Sequence, residues 1–416
     1  MKIGIVGTGI SGLSAAHLLC RNHDVTVYEA EDRIGGHTHT VDVDEHGRRL
    51  PVDTGFIVFN EPNYPHLNRL FDLLNVQSQA SDMSFSVHCD RTGLEYSGGS
   101  LAGLVARKRN LVSPAFLSMV KDLLKYYRKG QESLRNGLTD KMTVAEFIEK
   151  NGLGQNFVDY YLYPLGSSLW SCSLDEFSRF PILFVLEFLQ NHQLLQTRGR
   201  PRWRTVKGGS REYVKVLIQP FRDSIRTATP VRQVQRNGRS VRVTTEQGDI
   251  DEFDEVIVAT HADQALRLVH DAEPEEKDIL AYFPYRQNDV ILHTDTGILP
   301  NHPAAWASWN YRVASTQQSK ATVTYNMNML QMIESEHTYC VSLNPATAID
   351  PAKVIRRFSY SHPSFEPGRS SAQERHADLI RRRGISYCGA YWGYGFHEDG
   401  LRSALHVCAA FGEDLS

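Results

Sequence analysis

The sequence predicts an α/β chain: one domain of strand–helix–strand type assembled from separated segments, beside a mixed α+β domain with a helical part and an antiparallel sheet. Three observations predict it. An apolar run over 2–6, a glycine-rich turn, a helical stretch over 13–20 and a second strand over 24–28 form a unit of about 30 residues at the start. Strand patterns return near 225–260 and again at the end, in ISYCGAYWGYGFHEDGLRSALHVCAAFG. Between them the hydrophobic period changes twice, first to 3.6 and then to 2.

The elements follow in order. From 101 to 196 stretches such as PAFLSMVKDLLKYYRK and FPILFVLEFLQNHQLL repeat at helical spacing. VRQVQ and SVRVTT flank Arg236-Asn237-Gly238-Arg239, a hairpin signal, and DEVIVA reads as a short buried strand. From 285 to 345, DVILHTD, AAWASWNYR, ATVTYNMN and TYCVSLN alternate as strands. The predicted division is 1–60, 200–270 and 384–416 in the first domain, with 61–199 and 271–383 in the second.

Composition bounds the function. The 416 residues carry 45 Lys and Arg against 48 Asp and Glu, a net charge of −3, so no nucleic-acid-binding surface is advertised. Six cysteines without a CxxC pair indicate neither a zinc ribbon nor a disulfide framework. The start lacks signal-peptide character and no run approaches a membrane span, so a cytoplasmic location is expected. Residues 101–135 hold eight Lys or Arg and two acids, a net +6, among apolar Phe116, Leu117, Val120, Leu123, Leu124 and Tyr127. Such a helix either packs on a core with a solvated basic face or lies peripherally on the inner face of an anionic membrane.

Gly7-Thr8-Gly9-Ile10-Ser11-Gly12 follows a strand and opens a helix, the context in which a dinucleotide fingerprint is meaningful. Gly7 makes the tight turn, Gly9 lets amides approach a pyrophosphate, and Gly12 lets helix pack on strand. Glu29 ends the second strand, where its carboxylate can accept ribose hydroxyls; Ala30 follows it. Arg33-Ile34-Gly35-Gly36 then offers a second close backbone approach and a charge able to neutralise phosphate.

With this Glu…Arg-x-Gly-Gly pattern the chain resembles the FAD-binding proteins of the flavin amine oxidase and phytoene desaturase superfamily. Val52-Asp53-Thr54-Gly55, Trp203-Arg204-Thr205-Val206-Lys207-Gly208-Gly209, Thr229-Pro230-Val231, Val256-Ile257-Val258-Ala259-Thr260, Cys388-Gly389-Ala390 and Glu398-Asp399-Gly400-Leu401-Arg402 continue the match. The resemblance implies a Rossmann-like FAD-binding domain. It carries cofactor contacts onto Gly7, Gly9, Ile10, Ser11, Gly12, Glu29, Ala30, Arg33, Gly35, Gly36, Thr54, Gly55, Val231, Thr260, Gly389, Gly400 and Leu401. His37, also a candidate cofactor contact, stands where amine oxidases usually have arginine, so the resemblance implies that a phosphate contact there is either missing or altered.

Over its length, through PVDTGFIVFNEPNYP, SDMSFSV, WRTVKGGSREYV, AAWASWNYR and CGAYWGYGFHEDGLRSAL, the chain is similar to FAD-dependent oxidoreductases associated with cyclopropane and methyl-branched fatty-acid synthesis. That implies redox or isomerisation chemistry on an acyl chain or other apolar lipid. Amine oxidation, or a non-catalytic flavin subunit for a lipid methyltransferase, are the other implied functions. Tyr391, Trp392, Tyr394 and Phe396 read either as the wall of an acyl tunnel, hence substrate-binding, or as core packing. His397 and Glu398 are the nearest titratable groups; His397 reads either as the catalytic base or as a structural hydrogen-bonding group. His37 and His39, an HxH pair without further ligands, do not indicate a metal site.

Overall fold

The computed structural model describes residues 1–98, 101–138, 141–196, 199–315, 322–345, 347–365 and 368–415. Its central sheet is wholly parallel, in the order Ile225–Arg226, Asp24–Tyr28, Lys2–Val6, Glu255–Val258, Ile385–Tyr387. Strands distant in sequence thus lie side by side. They read as continuous apolar runs because both faces are covered. Ile3 and Ile5 pack on one side under the helices Ile10–Leu19 and His397–Ala409. Val6, Val256 and Val258 pack on the other against an antiparallel layer of Val231–Asn237, Ser240–Thr245 and Ile250–Phe253. The expected hairpin turn is present, with Gly238 at φ +66°.

A seven-stranded sheet runs in the order Val354–Pro363, Tyr285–His293, Cys340–Leu343, Val323–Asn326, Trp309–Val313, Phe85–Cys89, Glu95–Ser97. It is antiparallel except where Trp309–Val313 lies parallel to Phe85–Cys89. The strands near 85–97 and 354–363 extend it beyond the predicted 285–345 span. The helical part centres on Pro114–Arg135, Tyr163–Trp170 and Ile182–Asn191 around a core rich in Phe, Tyr and Trp. Among the described residues, no helix is long and apolar enough to cross a membrane.

Candidate functional site

At the carboxyl end of Lys2–Val6 the chain turns at Gly7, whose φ of +107° favours glycine. A Cβ there would reach 2.8 Å from the Ala259 carbonyl oxygen, and one at Gly12 would overlap the Gly7 carbonyl. Gly9 differs: a Cβ there would meet no atom within 4 Å. Gly9 is also the N-cap of the helix Ile10–Leu19, and no side chain caps the amides that follow. Unpaired amides at a helix start beside open space suit an anion.

Two further segments close on this turn. Gly36, at φ +57°, lies so near that a Cβ would come within 3.0 Å of Gly9 Cα, and the Gly35 amide donates to Thr8 Oγ1 at 3.2 Å. Phe56 N–H donates to the His37 carbonyl at 2.8 Å, and a Cβ at the intervening Gly55 would overlap that carbonyl. The Thr54 hydroxyl lies 2.7 Å from Tyr360 Oη. Gly7, Gly9, Gly12, Gly35, Gly36, His37, Thr54, Gly55 and Thr260 therefore converge at the carboxyl edge of the sheet, where open α/β sheets take ligands.

Glu29 is half-buried and faces this turn: its carboxylate accepts the Thr8 amide at 3.2 Å, the Thr8 hydroxyl, and the Glu31 amide at 2.9 Å. Ala30 beside it is exposed. Val231 opens the hairpin layer that Thr229 ties to Glu29 through a 2.8 Å backbone bond.

Four of the predicted cofactor residues, and the aromatic run, are engaged with protein. Arg33 braces the glycine doublet: its guanidinium donates to the carbonyls of Gly36 at 2.8 Å and Thr38 at 3.2 Å and pairs with Glu31. Gly400 answers to helix packing, since a Cβ would come within 2.8 Å of Ile10 Cγ2 and Ser11 Oγ already donates to its carbonyl. Leu401 sits in the core beneath the two helices, and Gly389 makes room for the Tyr391 ring while donating to Ser403 Oγ. The aromatic run, finally, is not one wall. Gly393, extended, and Gly395, at φ +92°, carry the chain across from one core to another. Tyr391 and Trp392 pack on Phe283 and His376, whereas Tyr394 and Phe396 face Phe184 and Phe188 in the helical part.

His397 is buried, stacked on Phe56 at 3.7 Å between ring centres, with Nε2 at 3.0 Å from Thr38 Oγ1 and 3.1 Å from Tyr213 Oη. Burial pushes its pKa down to about 3, which makes it a poor base and favours the structural hydrogen bond. Glu398 instead caps the helix Pro65–Leu73, accepting the amides of His66 and Leu67 at 3.0 Å and His66 Nδ1–H at 2.6 Å.

Sequence reasoning missed three groupings, because each joins distant segments. His37 has its Nε2 sealed without a partner among the described residues, and lies near His362 (5.3 Å), Tyr360 (5.2 Å) and His261 (6.3 Å). Burial, with the neighbouring His362 and His261, pushes His37 well down, and burial above all holds His261 and His362 at about 4, so these imidazoles are neutral at pH 7. Among the described residues no group of three or more His, Cys, Asp or Glu could hold a metal ion. Buried Asp53 accepts Ser210 N at 2.9 Å, Ser210 Oγ at 2.8 Å, Thr40 Oγ1 at 2.5 Å and Gln331 Nε2 at 2.9 Å, and burial raises it to about 6. It joins the VDTG and WRTVKGGS segments. Arg369, also buried, donates to the carbonyls of Ser364, Tyr391 and Gly393 and lies 4.0 Å from the Phe365 ring, fixing the loop that redirects the aromatic run.

The description of the flavin containing amine oxidoreductase family matches residues 10–319. The chain belongs to this family. An L-amino acid oxidase of Bothrops pictus is 24% identical over 323 residues, 71% of this chain and 60% of that protein. Probable polyamine oxidase 4 of Arabidopsis thaliana is 30% identical over 150 residues, 35% of this chain and 27% of its own length. The chain thus spans about 60% of the length of the amino acid oxidases it matches. Among solved structures, a fatty acid isomerase from P. acnes superposes with a TM-score of 0.70 at 17% identity, covering 98% of each chain. A putrescine oxidase bound to putrescine superposes at 0.67 and 15%, covering 99% of each.

Family membership makes FAD the cofactor. The cradle fits it. Gly9 leaves open the space that the neighbouring glycines fill with protein, uncapped helix amides face that space, and His37 brings an unpartnered ring nitrogen to the same edge.

Proposed function

We propose that this FAD-dependent enzyme acts on a fatty acyl chain or other apolar lipid, by dehydrogenation, desaturation or double-bond isomerisation. The observation that carries the reading is the aromatic cluster beginning one residue from the cradle. Phe396 precedes His397 and lies 5.4 Å from Phe188; Tyr394 lies 5.2 Å from Phe184, itself 5.0 Å from Phe365 and 5.5 Å from Trp170. Trp170, Phe188 and Phe365 are buried behind the half-buried rings of Phe184, Tyr394 and Phe396, and such half-buried rings suit an alkyl chain and exclude water. The likeness in fold to a fatty acid isomerase supports it.

In this reading the amides after Gly9 would receive the pyrophosphate, Glu29 would turn from Thr8 to the ribose, and Gly35, Gly36, Thr54 and Gly55 would bring backbone against the cofactor. FAD, when bound, supplies a hydride acceptor. The chain's own residues do the rest. Phe184, Phe188, Tyr394 and Phe396 would orient the alkyl chain, and His397, Thr38 and Tyr213 would hold the last helix against the cradle. The neutral imidazoles of His37, His261 and His362 would offer hydrogen bonds without adding fixed charge.

The test is anaerobic incubation of the holoprotein with lipids bearing unsaturated, cyclopropyl or methyl-branched chains, following flavin absorbance and analysing the lipid for new or displaced double bonds. Bleaching or a changed lipid is expected. Inert lipids, with hydrogen peroxide produced from a panel of amines in air, would overturn the reading in favour of amine oxidation.

A further inference from the structure

The long basic helix divides its apolar residues between two faces. Phe116, Met119, Tyr126 and Tyr127 are buried against the protein. Leu117 and Leu124 are not: they stand 52% and 54% exposed. At 100° per residue, Leu117, Lys121, Leu124 and Arg128 form one narrow outward stripe in which leucine and cation alternate. Just before the helix, Leu111 and Val112 are 58% and 78% exposed, next to exposed Lys108 and Arg109. The only acid of residues 107–128, Asp122, points inward and accepts the Gly154 amide at 2.9 Å. Ser113 caps the helix start, whose positive end adds to the cations there.

This is an unusual place to leave large apolar side chains. Four of the twelve exposed large apolar residues among the described residues fall within residues 111–124, and every exposed charge between 107 and 128 is positive. A solvated helix face has no use for outward leucines, and a surface made only for an acidic protein would have no use for Val112.

We propose that residues 108–128 form a docking surface for an anionic lipid bilayer. Leu111, Val112, Leu117 and Leu124 would enter the headgroup boundary, while Lys108, Lys121 and Arg128 meet lipid phosphates, the arrangement of an interfacial amphipathic helix. The inference does not rest on the substrate reading: it would stand for an enzyme acting on any molecule.

The test is sedimentation of the FAD-loaded protein with phosphatidylcholine vesicles, with and without phosphatidylglycerol. Binding to the phosphatidylglycerol vesicles at least about tenfold stronger than to phosphatidylcholine alone, and weakening with salt, is expected. L117S/L124S weakens binding about tenfold or more, and K121E/R128E removes the preference for phosphatidylglycerol. Retained flavin absorbance reports that each variant is folded. The proposal is overturned if the wild-type protein ignores phosphatidylglycerol vesicles, or if the variants bind them as well as wild type does. Absence of vesicle binding with a concentration-dependent dimer that L117S/L124S dissociates would likewise overturn it and assign the face to a second copy.

Discussion

The glycine cradle and the aromatic cluster meet at His397 but are held together in opposite ways. In the cradle, backbone touches backbone: the Gly36 position lies against Gly9, Gly12 against the Gly7 carbonyl, Gly55 against the His37 carbonyl. In the cluster, rings from residues 170, 184, 188, 365, 394 and 396 meet at 5.0–5.6 Å between centres without any comparable backbone contact. Backbone cannot yield, whereas a set of side chains can share out a lost methyl group. Substitutions should therefore act steeply in the first region and by degrees in the second.

The largest effect is expected at Gly12. Gly12→Ala drives a methyl group into the Gly7 carbonyl and should cost about 3 kcal/mol in denaturant unfolding, with no flavin retained on purification. Gly9→Ala sharpens the contrast, because its methyl group meets only open space. It should leave stability within about 1 kcal/mol of wild type while weakening FAD binding by some 2 kcal/mol, about 30-fold. Next comes Asp53, whose removal strands Ser210, Thr40 and Gln331. Asp53→Ala should cost about 2 kcal/mol, because bonds to an ionised acceptor are lost in the interior. In the cluster, Phe184→Leu should cost only about 1 kcal/mol and leave FAD affinity unchanged, while raising KM for the acyl substrate proposed above. An effect there as steep as at Gly12 would break the comparison.

The smallest expected effect is one of pH. His397 has a folded pKa of about 3 against an ordinary 6.5, so its neutral form is favoured by folding and the associated stability, complete above 6.5, is lost as pH falls towards 3. Between pH 6.5 and 5.5 this group alone should remove about 1 kcal/mol. His397→Gln should lose that much less than wild type over the same interval. Asp53 and Asp399, raised to about 6, act in the opposite sense, stabilising below their ordinary range and losing that contribution as pH rises through 6. They are common to both proteins and cancel in the comparison.

The same contrast explains what could be read from the sequence. Gly7, Gly9 and Gly12 are legible because a backbone requirement is written into residue type at fixed spacing. Residue type does not say which requirement a glycine meets: Gly400, read as a cofactor contact, also serves the packing of two helices. Arg33 is likewise legible as a charge near the doublet, but not as one already taken up by the Gly36 and Thr38 carbonyls. The division of the aromatic run is invisible to periodicity because two glycines, Gly393 and Gly395, redirect the chain within it. Asp53 with Gln331, His37 with His362 and Arg369 with Tyr391 depend on how distant segments meet, which no local pattern encodes.

The most direct measurement is titration of the apoprotein with FAD, wild type beside Gly9→Ala. One equivalent bound by wild type with recovery of flavin absorbance, and markedly weaker uptake by an equally stable variant, is the predicted result. Wild type that retains no flavin once unbound FAD is removed, or a variant that binds as tightly, would contradict the assignment of the cradle.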